Sequence, residues 1–124
     1  MTDYRQALGE LGERVAARWL EARGWELLAR RFRNGHRDLD LVARQGGVVA
    51  FVEVKARRGF GLGDPVVAVG VGKQRQLARS AWIWIDRHGR RGEAYRFDVI
   101  GVVFGPRGVR VRHVEDAFQV PGPA

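Results

Sequence analysis

The chain has 124 residues, 45% of them hydrophobic, which is the size and apolar content of one compact domain. We expect that domain over residues 1–120, followed by a short C-terminal tail at 121–124. The sequence has no cysteine, no apolar run long enough to span a membrane, and no apolar signal-peptide core near its N-terminus. These absences argue against disulfides, sulfur-ligated zinc, membrane spans and secretion, so a cytoplasmic location is expected.

The charge balance is strongly basic. With 22 Lys and Arg against 14 Asp and Glu, the formal net charge is +8. Such an excess predicts a polyanionic partner, first of all nucleic acid. The alternative is that an arginine-rich composition only solvates the surface, and the charge alone leaves both interpretations open.

The first element is an amphipathic helix over Tyr4 to Arg23, ended by Gly24. Its apolar positions recur at intervals of three and four: Leu8, Leu11, Val15 and Trp19. At about 100° per residue, Glu13 falls just outside the apolar arc and could reach a cleft beside a sheet. The alternative for Glu13 is a solvated surface position.

Three strands are predicted after this helix. Trp25 to Phe32 is short and apolar, and it is followed by the turn signal Asn34-Gly35. Asp38 to Arg44 and Val48 to Ala56 are the next two strands. Gly46-Gly47 between them is a strong hairpin signal.

The second half of the chain predicts one helix and two strands. A Gly-rich loop at Gly59 to Gly63 precedes a helix over Gly72 to His88, and strands follow over Tyr95 to Phe104 and Val109 to Val114. The hairpin supplies antiparallel pairing and the helical crossover favours a parallel neighbour. The fold class is therefore α/β, a sandwich around a mixed sheet.

Two tryptophans of the second helix are assigned different environments. Trp82 falls on the predicted core face with Leu77 and Ala81, whereas Trp84 falls outside it. Trp84 would then stack on a base or cover a homodimer interface, and a partly buried structural role is the commoner alternative.

Acidic residues interrupt the apolar hairpin. If Gly46-Gly47 form a two-residue turn, opposed residues place Asp40 across from Glu53 and Asp38 across from Lys55. A three-residue turn would instead set Asp40 against Val52. Two opposed carboxylates repel each other unless they share a proton or meet a cation.

A bound divalent metal would explain why Asp40 and Glu53 are paired. Asp40, Glu53 and the Val54 carbonyl would hold Mg²⁺ (or Mn²⁺) through oxygen ligands, and Lys55 would orient the attacking water or neutralise transition-state charge. The alternative is a set of salt bridges, in which Asp38 pairs with Lys55 and an arginine such as Arg37 or Arg57 pairs with Asp40 or Glu53.

Asp40 followed after twelve residues by Glu53-Val54-Lys55 looks like the D-x(n)-E-x-K signature of the PD-(D/E)XK nuclease superfamily. Further segments extend the pattern over nearly the whole chain: Gly9-Glu10-Leu11-Gly12-Glu13, Gly24-Trp25, Asp38-Leu39-Asp40-Leu41 and Arg96-Phe97-Asp98-Val99. Together they resemble the YraN-like family of small bacterial proteins, which is similar in fold to archaeal Holliday-junction resolvases. The resemblance implies a three-layer α/β/α restriction-endonuclease-like core, αβββαβ, with Glu13, Asp40, Glu53 and Lys55 at the positions of the family's expected active site.

Three further residues are interpreted beside this pattern. Asp38 stands where family members usually carry Glu, so its role is left open. Asp98 is interpreted as a structural salt bridge to Arg96 or to a helix end. His36 is interpreted as an exposed loop histidine, with a phosphate contact or proton shuttle as the alternative.

The expected function is that of a Mg²⁺-dependent nuclease acting on branched or flapped DNA. Phosphate contacts are expected from basic residues that border the cleft in sequence: Arg30, Arg31, Arg33, Arg57, Arg58 and Lys73. One alternative is a non-catalytic nucleic-acid-binding module with the same fold, and another is a homodimeric interaction protein.

Overall fold

The computed structural model describes residues 3–59 and 69–119. In chain order they form α1 (Tyr4–Ala22), β1 (Glu26–Phe32), β2 (Leu39–Gln45), β3 (Val48–Arg58), α2 (Val71–His88), β4 (Ala94–Gly105) and β5 (Gly108–Phe118). Every predicted helix and strand is present in the predicted order, and the largest difference is that β5 continues to Phe118. Except for Gly59, the predicted Gly-rich loop lies outside the described residues, as does the tail at 121–124.

The five strands form one mixed sheet in the order β1-β2-β3-β4-β5. Neighbouring strands are antiparallel except β3 and β4, which are parallel and are joined through α2. This arrangement confirms the predicted α/β fold and agrees with a nuclease-like core. Neither of the two described helices is long and apolar enough to cross a membrane.

Each face of the sheet is covered by one helix, and the apolar side chains of the strands divide between the two helices. On one face α1 packs with Ala16 and Leu20 against a cluster that includes Ala50, Val52 and Ile100. On the other face α2 packs against a cluster that includes Leu77, Phe51 and Phe97. Along β3, Val49 and Phe51 face α2 whereas Ala50 and Val52 face α1.

The predicted environment of Trp84 is wrong. Trp84 is only 3% exposed and packs edge-on against Phe51, with ring centroids 5.7 Å apart. Seven helical steps separate it from Leu77, which returns Trp84 to within about 20° of that buried position. Trp82 is the half-buried one of the two. Trp84 therefore belongs to the core and offers no surface for a base or for a second copy of the chain.

Helix α1 approaches the sheet most closely at Gly12. A methyl group built at Gly12 would lie 2.5 Å from Cβ of Ala56 on β3, closer than two carbons can pack. The missing side chain therefore lets the helix cross the end of β3 in direct contact. Glu13, the next residue, is carried to the same end of the sheet.

Replacing Gly12 by Ala is expected to destabilise the protein by about 1–3 kcal/mol, because overpacking outweighs the gain in helix propensity. Thermal unfolding checks this. Gly9→Ala is the matched control, since a methyl group at Gly9 meets nothing within 4 Å. The control should be neutral or more stable by up to about 1 kcal/mol. A Gly12→Ala protein as stable as Gly9→Ala would contradict the close approach.

Candidate active site

The hairpin has the register on which the acidic cluster depends. Gln45 pairs with Val48 and Leu41 pairs with Val52, as a two-residue turn at Gly46-Gly47 requires. Beyond Leu41 the ladder ends, and Oδ2 of Asp40 instead accepts a hydrogen bond from the backbone N–H of Val54 at 2.8 Å. Asp40 is thereby tied to the strand that carries Glu53, as the sequence predicted.

Asp40 lies in an environment that disfavours its charge. Burial, together with the neighbouring charges of Glu53 and Glu13, raises the pKa of Asp40 to about 7. The hydrogen bond from Val54 and the positive charge of Lys73 act in the opposite direction without cancelling this rise. The charges of Glu53 and Glu13, the other two predicted acidic site residues, therefore both act on Asp40.

Glu53 is paired with Lys73. Its side chain is 9% exposed, and Nζ of Lys73 on the first turn of α2 donates a hydrogen bond to Oε1 at 2.6 Å. The sequence had placed Lys73 among the phosphate contacts and had offered Arg37 or Arg57 as salt-bridge partners. Lys73 follows Glu53 by 20 residues, and only the folding of α2 over the sheet brings the two together.

Glu13 is paired with Arg31. The Glu13 side chain is 17% exposed, and Nε of Arg31 donates a hydrogen bond to it at 2.9 Å. This hydrogen bond raises the pKa of Arg31 above its ordinary value. Arg31 has φ of 48°, a left-handed conformation that is uncommon outside glycine. Arg31 too was predicted as a phosphate contact, and nothing in the local sequence reports its backbone conformation.

Lys55 and Asp38 do not form the predicted pair. Asp38 precedes β2 and lies 3.7 Å from Arg33, because the pairing of β2 with β3 has already ended at Leu41. Lys55 is half-buried on β3, and its side chain has no ion pair or hydrogen bond to any residue within 3–59 or 69–119.

The remaining predicted phosphate contacts lie at the surface. Arg30, Arg33 and Arg58 are exposed, and the guanidinium of Arg58 lies 5.5 Å from the ring centre of Tyr4. Arg57 is half-buried and already has a partner. The six basic residues thus divide into two that neutralise the acids, Lys73 and Arg31, three that face solvent, and Arg57, which has another partner.

The oxygen donors around Asp40 suit a divalent cation. Among the residues described, no three acidic or histidine side chains converge on one point, so the side chains alone supply at most a pair of ligands. The N–H and C=O of a strand residue face the same neighbour, which places the Val54 carbonyl on the edge that faces Asp40. Two carboxylates and one carbonyl are the hard donors that Mg²⁺ or Mn²⁺ prefers, with water as the remaining ligands.

Asp98 belongs to a separate, structural cluster. It is fully buried on β4 and accepts hydrogen bonds from Arg96 at 3.0 and 3.2 Å and from the backbone N–H of Asp116 at 3.0 Å, and it lies 2.7 Å from Nε2 of His113. The predicted salt bridge to Arg96 is confirmed. Asp116 sits where the β4–β5 register shifts between Phe97 and Val99, so Asp98 holds the end of β5 in place.

The acid stability of the protein is expected to depend on Asp98. Burial alone would raise its pKa, but the hydrogen bonds from His113, Asp116 and Arg96 keep the pKa below its ordinary value. A lowered folded-state pKa contributes stability above the ordinary value, and this stability is lost as the pH falls through the folded-state value. Asp98→Asn should therefore lower the free energy of unfolding by about 3–5 kcal/mol at pH 7, with a smaller difference in acid.

Denaturant unfolding of Asp98→Asn across a pH series measures this difference. Asp116→Asn is the matched control, because Asp116 is exposed and asparagine tolerates its positive φ. The control should stay within about 0.5 kcal/mol of the wild type. A constant gap between Asp98→Asn and wild type down to strong acid would rule out the ionic role of Asp98.

Residues 12–102 match the model of a family described as "Uncharacterised protein family UPF0102". The chain is 43% identical to a UPF0102 protein of Anaeromyxobacter dehalogenans over 97% of this chain and 90% of that protein. It is 47% identical to one of Symbiobacterium thermophilum over 90% and 95%, and 39% identical to one of Geobacter sulfurreducens over 94% and 92%. These matches confirm the YraN-like resemblance at the level of the family, and the names state no activity.

Proposed function

The chain belongs to the uncharacterised protein family UPF0102, and we propose that it is a divalent-metal-dependent nuclease of the PD-(D/E)XK type that cleaves structured DNA such as branches and flaps. One observation carries this proposal. Asp40 and Glu53 lie together where the pairing of β2 with β3 ends, in a protein of net charge +8. The choice of branched DNA follows the resemblance to Holliday-junction resolvases.

The acidic pair would hold the metal together with the Val54 carbonyl. A bound Mg²⁺ or Mn²⁺ supplies Lewis-acid stabilisation of a phosphodiester that gains negative charge during hydrolysis. Asp40 is fixed by its hydrogen bond from Val54, and Glu53 is fixed by Lys73. Both carboxylates are therefore oriented before any ligand arrives, which is what a preorganised site requires.

Lys55 and Glu13 would complete the site. Lys55 lies two residues beyond Glu53 on the same strand face, and its ammonium has no partner in the described parts of the chain. It is free to donate a hydrogen bond to the attacking water or to a phosphate oxygen. Glu13 is held by Arg31 at the edge of the same cluster, where it can accept a hydrogen bond from water in the site.

A non-catalytic nucleic-acid-binding module is the second candidate, and one observation favours it. The 2.6 Å ion pair between Lys73 and Glu53, like that between Arg31 and Glu13, neutralises an acid without any metal. In that case the cluster would be a structural network beneath a basic surface. Binding of DNA without cleavage would then be the whole activity.

A cleavage panel separates the two candidates. End-labelled four-way junction, flap, single-stranded and duplex DNA are incubated with the protein and either Mg²⁺, Mn²⁺ or EDTA. Cutting that needs the metal and prefers the junction or flap supports the nuclease. Binding of the whole panel with no cutting in either metal overturns it in favour of the binding module.

A further inference from the structure

A basic cleft lies beside the acidic cluster and shares no residue with it. It has a volume of about 390 Å³ and lies between the turn that precedes β2 and the middle of α2. Among the residues that the structure describes, the lining is Gly35, His36, Arg37, Gln76 and Arg79, none of which is acidic. All five residues are exposed. The cleft is therefore open to a ligand from solvent.

The two arginine side chains of the cleft are unpaired within the described residues. The guanidinium groups of Arg37 and Arg79 have no ion pair or hydrogen bond to a residue in 3–59 or 69–119. Arg44 makes an instructive contrast, since it lines another cavity of about 270 Å³ but its Nε lies 2.6 Å from Glu93. The charge of the cleft at Arg37 and Arg79 is left for an anion.

The cleft is held in shape by a buried hydroxyl. Ser80 of α2 is fully buried, and its Oγ lies 3.1 Å from the side-chain oxygen of Asn34 and within hydrogen-bonding distance of the Arg37 carbonyl. The same Asn34 oxygen accepts the backbone N–H of His36 at 3.2 Å. The turn is thereby fastened to the helix, so Arg37 and Arg79 are presented together without a loop having to order on binding.

The position of the cleft relates it to the proposed active site. Arg37 precedes Asp40 by three residues, and Arg79 follows Lys73 by six, which is about 9 Å along the axis of α2. A strand with one phosphate at Asp40 and Glu53 would thus bring a later phosphate to the cleft.

We propose that this cleft is a phosphate subsite, which binds a backbone phosphodiester of the same DNA strand near the bond at the acidic pair. Its position along the strand rests on the proposed nuclease function, whereas its affinity for DNA does not. Arg37 and Arg79 bind the phosphate oxygens, and Gln76 and His36 border them. Because these contacts reach only the backbone, the subsite fixes the register of the strand without selecting a sequence.

The test measures DNA binding in EDTA, so that no cleavage occurs. Fluorescence anisotropy of a labelled four-way junction and a labelled duplex compares wild type with Arg37→Ala/Arg79→Ala over a salt series. The double variant should bind at least about tenfold more weakly at low salt, and the slope of log K against log salt should fall by about 1.8, or 0.9 for each lost phosphate contact. Arg18→Ala/Arg107→Ala, which removes two exposed charges outside the cleft, should bind within about twofold of wild type.

Equal losses in the cleft variant and the control variant would overturn the subsite, since affinity would then follow net charge alone. An unchanged salt slope in the cleft variant would also overturn it. The result is independent of catalysis. If the wild type binds DNA through the cleft but never cuts it with Mg²⁺ or Mn²⁺, the nuclease proposal fails and the subsite stands. If the wild type cuts DNA and the cleft variant binds as tightly as wild type, the subsite fails and the nuclease proposal stands.

Discussion

Replacing Glu53 by Gln is expected to lower the rate of metal-dependent DNA cleavage by at least about 100-fold. The change removes one of two carboxylates that would hold the metal, and even groups that only orient metal ligands cost about 10–100-fold when lost. Gln keeps the size of the side chain, and its amide oxygen can still accept the hydrogen bond from Lys73. Affinity for the same DNA, measured in EDTA, should stay within about threefold because the basic surface is unchanged. Single-turnover cleavage of a four-way junction gives the rate.

Glu21→Gln is the control for this substitution, since Glu21 is exposed near the end of α1 and the charge change is the same. The control should cut at the wild-type rate. Cleavage by Glu53→Gln at the rate of Glu21→Gln would show that Glu53 is not part of the machinery. A loss of both cutting and binding in Glu53→Gln would instead point to a binding role for Glu53.

Replacing Asp40 by Asn is expected to stabilise the protein above neutral pH. Since the folded-state pKa of Asp40 is raised to about 7, the stability that its protonated form contributes is full below the ordinary value of 3.8 and is lost as the pH rises through about 7. At 1.36 kcal/mol per pKa unit, ionised Asp40 costs on the order of 4 kcal/mol at pH 8.5. Asn carries no charge and can still accept a hydrogen bond from the N–H of Val54, so position 40 of the variant should contribute no pH dependence to the free energy of unfolding.

Thermal unfolding without divalent ions tests this expectation. At pH 8.5 the Tm of Asp40→Asn should exceed that of wild type by about 5 °C or more, and the gap should shrink as the pH falls and nearly close at about pH 4. Asp38→Asn, two residues away and paired with exposed Arg33, should follow wild type at both pH values. A variant at Asp40 that is less stable than wild type at pH 8.5 would contradict the repulsion between Asp40 and its neighbours.

The fold could be predicted from the sequence because its signals are local. The two helices follow from apolar spacing, and Gly46-Gly47 set a two-residue turn that determines every pairing between β2 and β3. The same register is the basis for predicting that Asp40 lies beside Glu53. The prediction for Trp84 was wrong because the core face assigned to α2 was too narrow. Trp84 follows Leu77 by seven residues, about two helical turns, and therefore lies on the same buried face.

The partners of the acidic residues could not be predicted, because they depend on packing between distant elements. Lys73 reaches Glu53 only after α2 lies over the sheet, and Arg31, which has a left-handed backbone in β1, reaches Glu13 only after α1 packs on the sheet. His113 in the same way reaches Asp98 across the β4–β5 pairing. Sequence identifies which residues carry the chemistry, and the long-range contacts decide which charges remain unpaired.

Direct metal binding is the sharpest test of whether Asp40 and Glu53 form a divalent-cation site. Isothermal titration of the DNA-free protein with Mn²⁺ compares wild type, Asp40→Asn and Asp38→Asn at pH 8. We predict one saturable site in wild type and in Asp38→Asn, and at least tenfold weaker binding in Asp40→Asn. No Mn²⁺ binding by the wild type, or equal binding by Asp40→Asn, would contradict the claim.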